Sequence, residues 1–195
     1  MIGSSSTVTV APAPVPQTGQ RTVSGTGDDG ALQMGIEWDA ATRFTDNGDG
    51  TVLDKLTGLI SLKQANCFGS RAWTPALSDS AGLQAGSCGL TDGSADLDWR
   101  LPNVRELLTL VDYGEYSPAL PASHAFSGVQ TSFYWTSTTV DYASSCAWAV
   151  DLFEGDPSVT DKAHTCYVWP VCGEGITAFY RYLPLVMERG VVGLR

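Results

Sequence analysis

The chain has 195 residues, a net charge of −10, 43% hydrophobic residues and 16% charged residues. That length fits one domain with tails and leaves room for a conventional core. The acidic balance, with no run of Lys or Arg, lacks the cationic field that nucleic acid, an anionic membrane surface or a sulfated polymer requires.

No stretch approaches the ~20 apolar residues of a membrane span, so membrane insertion is not expected. Five cysteines point to an oxidising compartment, hence to a secreted or cell-surface protein. No basic segment with an apolar core follows Met1, so no signal peptide is visible and the route of export is not legible.

Residues 1–32 are rich in Ser, Thr, Gly and Pro, with alternating Ala and Pro from Ala11 to Pro14. This composition predicts a flexible linker ahead of a folded domain over 33–173. From Arg43 the pattern becomes strand, tight turn, strand. Phe44-Thr45 enters Asn47-Gly48-Asp49-Gly50, and Thr51-Val52-Leu53 leaves it. Gly stands where positive φ is needed. Thr57-Gly58 makes a second turn before Leu59 to Leu62. The acidic residues of 46–54 lack the alternate spacing and closing Glu of a calcium loop, since Leu56 falls at the closing position.

Residues 73–85 read as a first helix, with Trp73, Leu77 and Ala81 on one face. Residues 102–112 read as a second, with Val104, Leu107, Leu108 and Val111 as the apolar stripe and Pro102 near its start. Strands are expected at Tyr134 to Thr138, Ala147 to Phe153 and Tyr167 to Val171, with Gly155-Asp156-Pro157 as a turn. Trp99, Leu107, Leu108, Val111, Trp135, Trp148, Val150 and Trp169 are expected in one core. The tail, 174–195, has aromatic residues but no clear period and no assigned role.

Several blocks together carry a resemblance. Arg43 to Val52 with Leu56 to Leu59 is one, and Ala65 to Gly69 another. Cys88 to Gly93 followed by Asp98 to Leu107 is the most specific. Tyr134 to Thr139, Ala147-Trp148 and Tyr167 to Val171 complete the set. In this order the chain resembles the Lcl C-terminal domain family from about Arg43 to Gly173. The resemblance implies an α+β, C-type-lectin-like fold, with two helices packed on a small twisted antiparallel sheet with long loops. It implies an exported bacterial protein with a role in adhesion or ligand binding. It also keeps Cys67 and Cys88 in matching blocks on either side of the first helix, which implies a disulfide. Cys172 stands where members commonly carry Arg, and 174–195 lie outside the match.

Asp98-Trp99-Arg100-Leu101-Pro102 reads as a packed lock at a helix entry, with Arg100 seeking a carboxylate. No catalytic residue and no cofactor are expected. His124 and His164 are far apart. His164, Cys166 and Cys172 form the one close set of metal-ligand types, without a zinc spacing. No Gly-X-Ser-X-Gly elbow occurs. The calcium-dependent sugar motifs of animal lectins are also missing. An enzymatic branch of the same fold holds copper with a cysteine pair, and Cys166 and Cys172 do not match that setting. A second bridge, Cys146 to Cys166, is expected because both begin strands that should lie close.

The remaining candidate is the polar, aromatic segment 139–165. Asp141, Tyr142, Ser144, Ser145, Phe153, Glu154, Asp156, Asp161 and His164 are the expected ligand-binding residues. Loops on a rigid sheet carry recognition, and Tyr with Ser combines rigid contact area with adaptable hydrogen bonding. These nine are expected to converge on one exposed face and to take a protein or a neutral or basic ligand. Val140 to Cys146 also fit the residue set produced when a diversity-generating retroelement randomises Asn codons. A metal-dependent oxidase-like enzyme and a purely structural module are the alternatives.

Overall fold

A computed structural model describes residues 15–172. Two short helices come first, α1 (Asp29–Leu32) and α2 (Ala40–Arg43), then strands β1 (Phe44–Asp46), β2 (Thr51–Asp54) and β3 (Ile60–Leu62). β4 (Ser70–Arg71) leads into helix α3 (Trp73–Ala81), and β5 (Trp99–Arg100) into helix α4 (Val104–Leu108). Five strands follow: β6 (Phe133–Val140), β7 (Ala143–Asp151), β8 (Pro157–Asp161), β9 (Cys166–Tyr167) and β10 (Val171–Cys172). They build two five-stranded sheets, β1-β2-β3-β10-β5 and β4-β9-β6-β7-β8. With few helices beside two sheets, the fold is α+β.

The first sheet starts from turn chemistry. Gly48 (φ 78°) and Gly50 (φ 90°) take the left-handed conformations that close the β1–β2 hairpin. The carboxylates of this loop serve the turn, and Asp46 also pairs with Lys63 at 2.6 Å. Asp46 accepts from Gly48 N–H at 3.0 Å, and Asp49 from Thr51 N–H at 3.0 Å. Asp54 belongs to a different device. It holds the buried Arg43 guanidinium through Nε at 3.0 Å and Nη2 at 2.8 Å. Arg43 Nη2 also donates to Thr109 O. The guanidinium lies over the Trp38 and Phe44 rings, 5.0 and 4.8 Å from their centroids. This pair bolts the hairpin to the chain after α4.

Helix α4 opens on a reciprocal cap. Asn103 Oδ1 accepts from Arg105 and Glu106 N–H, while Glu106 accepts from Asn103 N–H at 2.7 Å. Arg100 grips Glu106 through two bonds of 2.8 Å. Burial alone would raise the Glu106 pKa, but the Arg100 guanidinium and the Asn103 N–H together hold it below its usual value. Trp99 and Leu101 are buried on either side, so the block is the structural lock that its residues predict. Both helices are shorter than expected. α3 ends at Ala81, where Gly82 turns the chain, and α4 spans five residues rather than 102–112.

The second sheet contains the long strands. β6, β7 and β8 pair antiparallel in succession, and β9 joins β6 in parallel. Its two faces serve different cores, because a strand sends alternate side chains to opposite sides. Tyr134 and Val150 face the main cluster with Trp99, Leu107, Val111 and Trp169. Trp135, Ala147 and Ala149 face a second cluster under α3, with Ala76 and Leu101. The single core expected from the sequence is therefore two. Leu108 packs partly buried at the margin of the first, and Trp148 is half-buried and in neither cluster. Indole N–H groups anchor both: Trp169 donates to Leu62 O and Trp135 to Arg71 O, each at 2.8 Å.

Cys67 and Cys88 form a disulfide with a Cα separation of 5.7 Å. The Cys146–Cys166 bridge does not form, and both thiols are free. Strand order is the reason. Cys146 lies on β7 and Cys166 on β9, with β6 between them. Two strand spacings already make roughly 10 Å, beyond the reach of a disulfide.

Residues 15–32 were expected as part of a flexible linker but lie on the body. Trp38 Nε1 donates to Gln17 O at 3.0 Å, Tyr113 N–H to Thr18 O at 2.8 Å, and Asp28 caps α1. The backbone of this segment finds partners although its side chains are mostly exposed. The remainder of that segment, 1–14, and the tail 174–195 lie outside the described residues.

Candidate functional site

Segment 139–165 was expected to be rich in loops around one strand, Ala147 to Phe153. Most of it is strand, because β7 and β8 pair from Cys146↔Asp161 to Val150↔Pro157. This changes where the nine expected residues fall. Successive antiparallel strands put successive connections at opposite ends of a sheet. The β6–β7 turn and the β7–β8 turn are therefore separated by the nine-residue length of β7, roughly 27 Å at strand rise. All nine side chains are exposed, but they divide into two groups, and the single converging face does not exist.

The first group is Asp141, Tyr142, Ser144, Ser145, Asp161 and His164. Tyr142 is the tip of the β6–β7 turn and is 80% exposed. Ser144 and Ser145 follow on β7. Asp161 sits opposite Cys146 at the end of β8, and Lys162 N–H donates to Ser145 O at 2.9 Å. Lys162 fixes this end. Its Nζ donates to Thr139 Oγ1 and Ser144 O, both at 2.9 Å, and lies 3.9 Å from the Trp73 ring centroid. Trp73 N–H in turn donates to Lys162 O at 3.1 Å. The tip is thus tied to α3 rather than waving free.

Residues 162–165 cross from the edge strand β8 to β9, past β7 and β6. Beside this crossing lies an open groove of about 540 Å³, lined by Phe133, Val159, Thr160, Asp161, His164, Thr165 and Cys166. Phe133 and Val159 are exposed apolar side chains. Asp161, His164, Thr160 and Thr165 supply the polar rim. Burial pushes the Cys166 thiol up to about 11, so it stays protonated at neutral pH and is a poor nucleophile. Among the described residues, no group of three His, Cys, Asp or Glu side chains is gathered to hold a metal ion.

The second group is Phe153, Glu154 and Asp156, at the β7–β8 turn. It meets residues that the sequence reading did not select. Ser117 N–H donates to Phe153 O at 2.8 Å, Ala119 N–H to Leu152 O at 2.8 Å, and Tyr113 Oη to Gly155 O at 3.4 Å. Tyr113 and Tyr116 are exposed here. The signal for them was composition alone: two tyrosines around Gly114-Glu115, just past the helical pattern. Nothing in their spacing links them to Phe153, nearly forty residues on. Phe133 was missed because the expected strand began one residue later, at Tyr134, and Val159 because β8 was not read as a strand.

Fold and surface define a small α+β domain that holds a rigid sheet by its buried frame and exposes both ends of that sheet. The Lcl C-terminal domain model matches residues 50–172. That is more than half of the chain, and the chain belongs to this family. No curated protein matches it. Membership and the intrachain disulfide fit an extracellular, surface or adhesion-related domain. No helix among the described residues is long and apolar enough to cross a membrane.

Proposed function

We propose that this domain is a non-enzymatic recognition module, C-type-lectin-like in architecture, whose primary binding surface is the β6–β7 tip with the adjoining groove. The observation that carries the reading is the conjunction of an anchored, exposed tip with an open groove that has apolar walls and a polar rim. Ligand sites combine apolar lining with a few convergent polar groups in this way. Asp141 and Asp161 give the surface a negative sign, which favours a neutral or basic partner and disfavours a sulfated polymer.

Val140 to Cys146, the stretch that fits a retroelement-varied segment, forms this tip. The finer reading is that related copies differ here and keep the remainder of β7 and all of β8 constant. Sequencing the locus and its neighbours for a reverse transcriptase and an Asn-rich template tests that part.

The main test is an array of glycans and extracellular proteins probed with the purified chain. Tyr142→Ala and Phe133→Ala serve as controls. A ligand that is lost with these variants, at unchanged melting temperature, supports the reading. Ligands that bind both variants as well as the parent place the site elsewhere. The enzymatic alternative requires a resident metal, so elemental analysis of the purified chain separates it.

A further inference from the structure

The opposite end of the second sheet carries a surface of different make. The two segments at this end carry three exposed aromatic side chains: Tyr113, Tyr116 (76% exposed) and Phe153 (43% exposed). They come from two segments held together by backbone bonds, Ser117 N–H to Phe153 O and Ala119 N–H to Leu152 O. Gly155 makes the contact tight. A Cβ at this position would lie 2.5 Å from Val111 Cγ1 and 3.5 Å from Tyr113 Cε1. Tyr113 therefore stands on a fixed base.

Charge selects the occupant. Glu115 adjoins Tyr116 in the chain, Glu154 and Asp156 flank Gly155 in the turn after Phe153, and none takes part in an ion pair within the described residues. Asp156 is close enough to help raise the Tyr113 pKa, after the effect of burial. Between Arg105 and Lys162 the sequence contains no Lys or Arg, so the stretch that supplies this surface has no cation of its own to neutralise it. Electron-rich ring faces beside carboxylates attract a planar cation twice over, by stacking and by charge.

We infer that this end is a docking surface for an arginine-bearing segment of a partner protein, separate from the β6–β7 tip at the far end of β7. The guanidinium stacks on the Tyr116 and Phe153 rings while the three carboxylates draw the segment in. Lysine fits less well, because a compact ammonium is more strongly hydrated and has no plane to stack.

The test uses the full chain and a fluorescein-labelled hexa-arginine peptide, read by anisotropy at physiological salt, where exposed charges more than ~8 Å apart are largely screened. Hexalysine is the comparison peptide. The parent should prefer hexa-arginine. Tyr116→Ala with Phe153→Ala, which leaves net charge unchanged, should weaken it roughly 5-fold or more. Glu115→Gln, Glu154→Gln and Asp156→Asn together should weaken it further. Asp141→Asn with Asp161→Asn, at the other end, should leave it within twofold while altering any ligand found for the tip. Undiminished binding after removal of the rings, or an equal loss from the Asp141 and Asp161 changes, overturns the proposal by reducing it to net charge. Because both rings are exposed, melting curves should be unchanged. A fall in melting temperature together with lost binding also counts against it, since the rings would then be structural.

Discussion

The two sheets are equal in strand number and opposite in character. The first is made of strands of two to four residues whose neighbours come from all along the chain, with β10 seated between β3 and β5. Its anchors are buried and polar: Arg43 on Asp54, and the Trp169 indole on Leu62 O. The second is dominated by three consecutive strands joined by short turns, with exposed residues at both ends. The contrast teaches a division of labour. Distant pairing and buried anchors hold the frame, and local pairing presents a surface whose exposed side chains can change at little energetic cost.

Substitutions rank this contrast. Asp54→Ala should have the largest effect, because it leaves the Arg43 guanidinium buried without its partner. A loss of about 3–5 kcal/mol is expected in chemical denaturation, and a loss below 1 kcal/mol would deny the first sheet its role. Reducing the Cys67–Cys88 bridge should come next. It closes a loop with a sequence separation of 21, worth about 3 kcal/mol in the chain-entropy description. Mass mapping should find this pair oxidised and Cys146 and Cys166 open to alkylation once the chain is unfolded.

Gly155→Ala probes the second sheet at its base. The left-handed φ of 89° and the 2.5 Å approach to Val111 both oppose a Cβ, so a destabilisation of about 2 kcal/mol is expected. A neutral result would mean that the turn and the 113–119 segment are not packed together. The smallest effect belongs to Tyr142→Ala, within about 0.5 kcal/mol of the parent, although it should reduce ligand binding. If it unfolds the domain, Tyr142 is part of the frame and the contrast between sheets fails there.

Local signals in the sequence translated well. The hairpins over 43–62 were legible because Asn-Gly and Asp-Gly leave few alternatives for a backbone that must reverse. The lock around Trp99 and Leu101 was legible from two large apolar residues beside a charged one at a helix entry. The α+β class and the Cys67–Cys88 pairing rested on the family resemblance. What escaped was relational. β8 begins with Pro157 and holds Ser158, Thr160 and Asp161, so it read as loop, and once it was missed the two turns could not be assigned to opposite ends. Trp135 and Trp169 look alike in sequence, yet Trp135 faces α3 by its register on β6, while Trp169, between β9 and β10, packs in the main core. The association of Tyr113 with Gly155 depends on a loop folding back over a distant turn, and no periodicity announces that.

One feature of the second sheet bears on contacts between copies of the chain. A domain displayed in many copies risks pairing sheet to sheet through its open edges. Here the β8 edge opens on Pro157, which has no N–H to offer, and closes on Asp161. The other edge, β4, is only two residues long. Neither is a template on which a neighbouring copy could extend the ladder. Neighbouring copies should therefore not pair through the second sheet, whose ends stay open to other molecules.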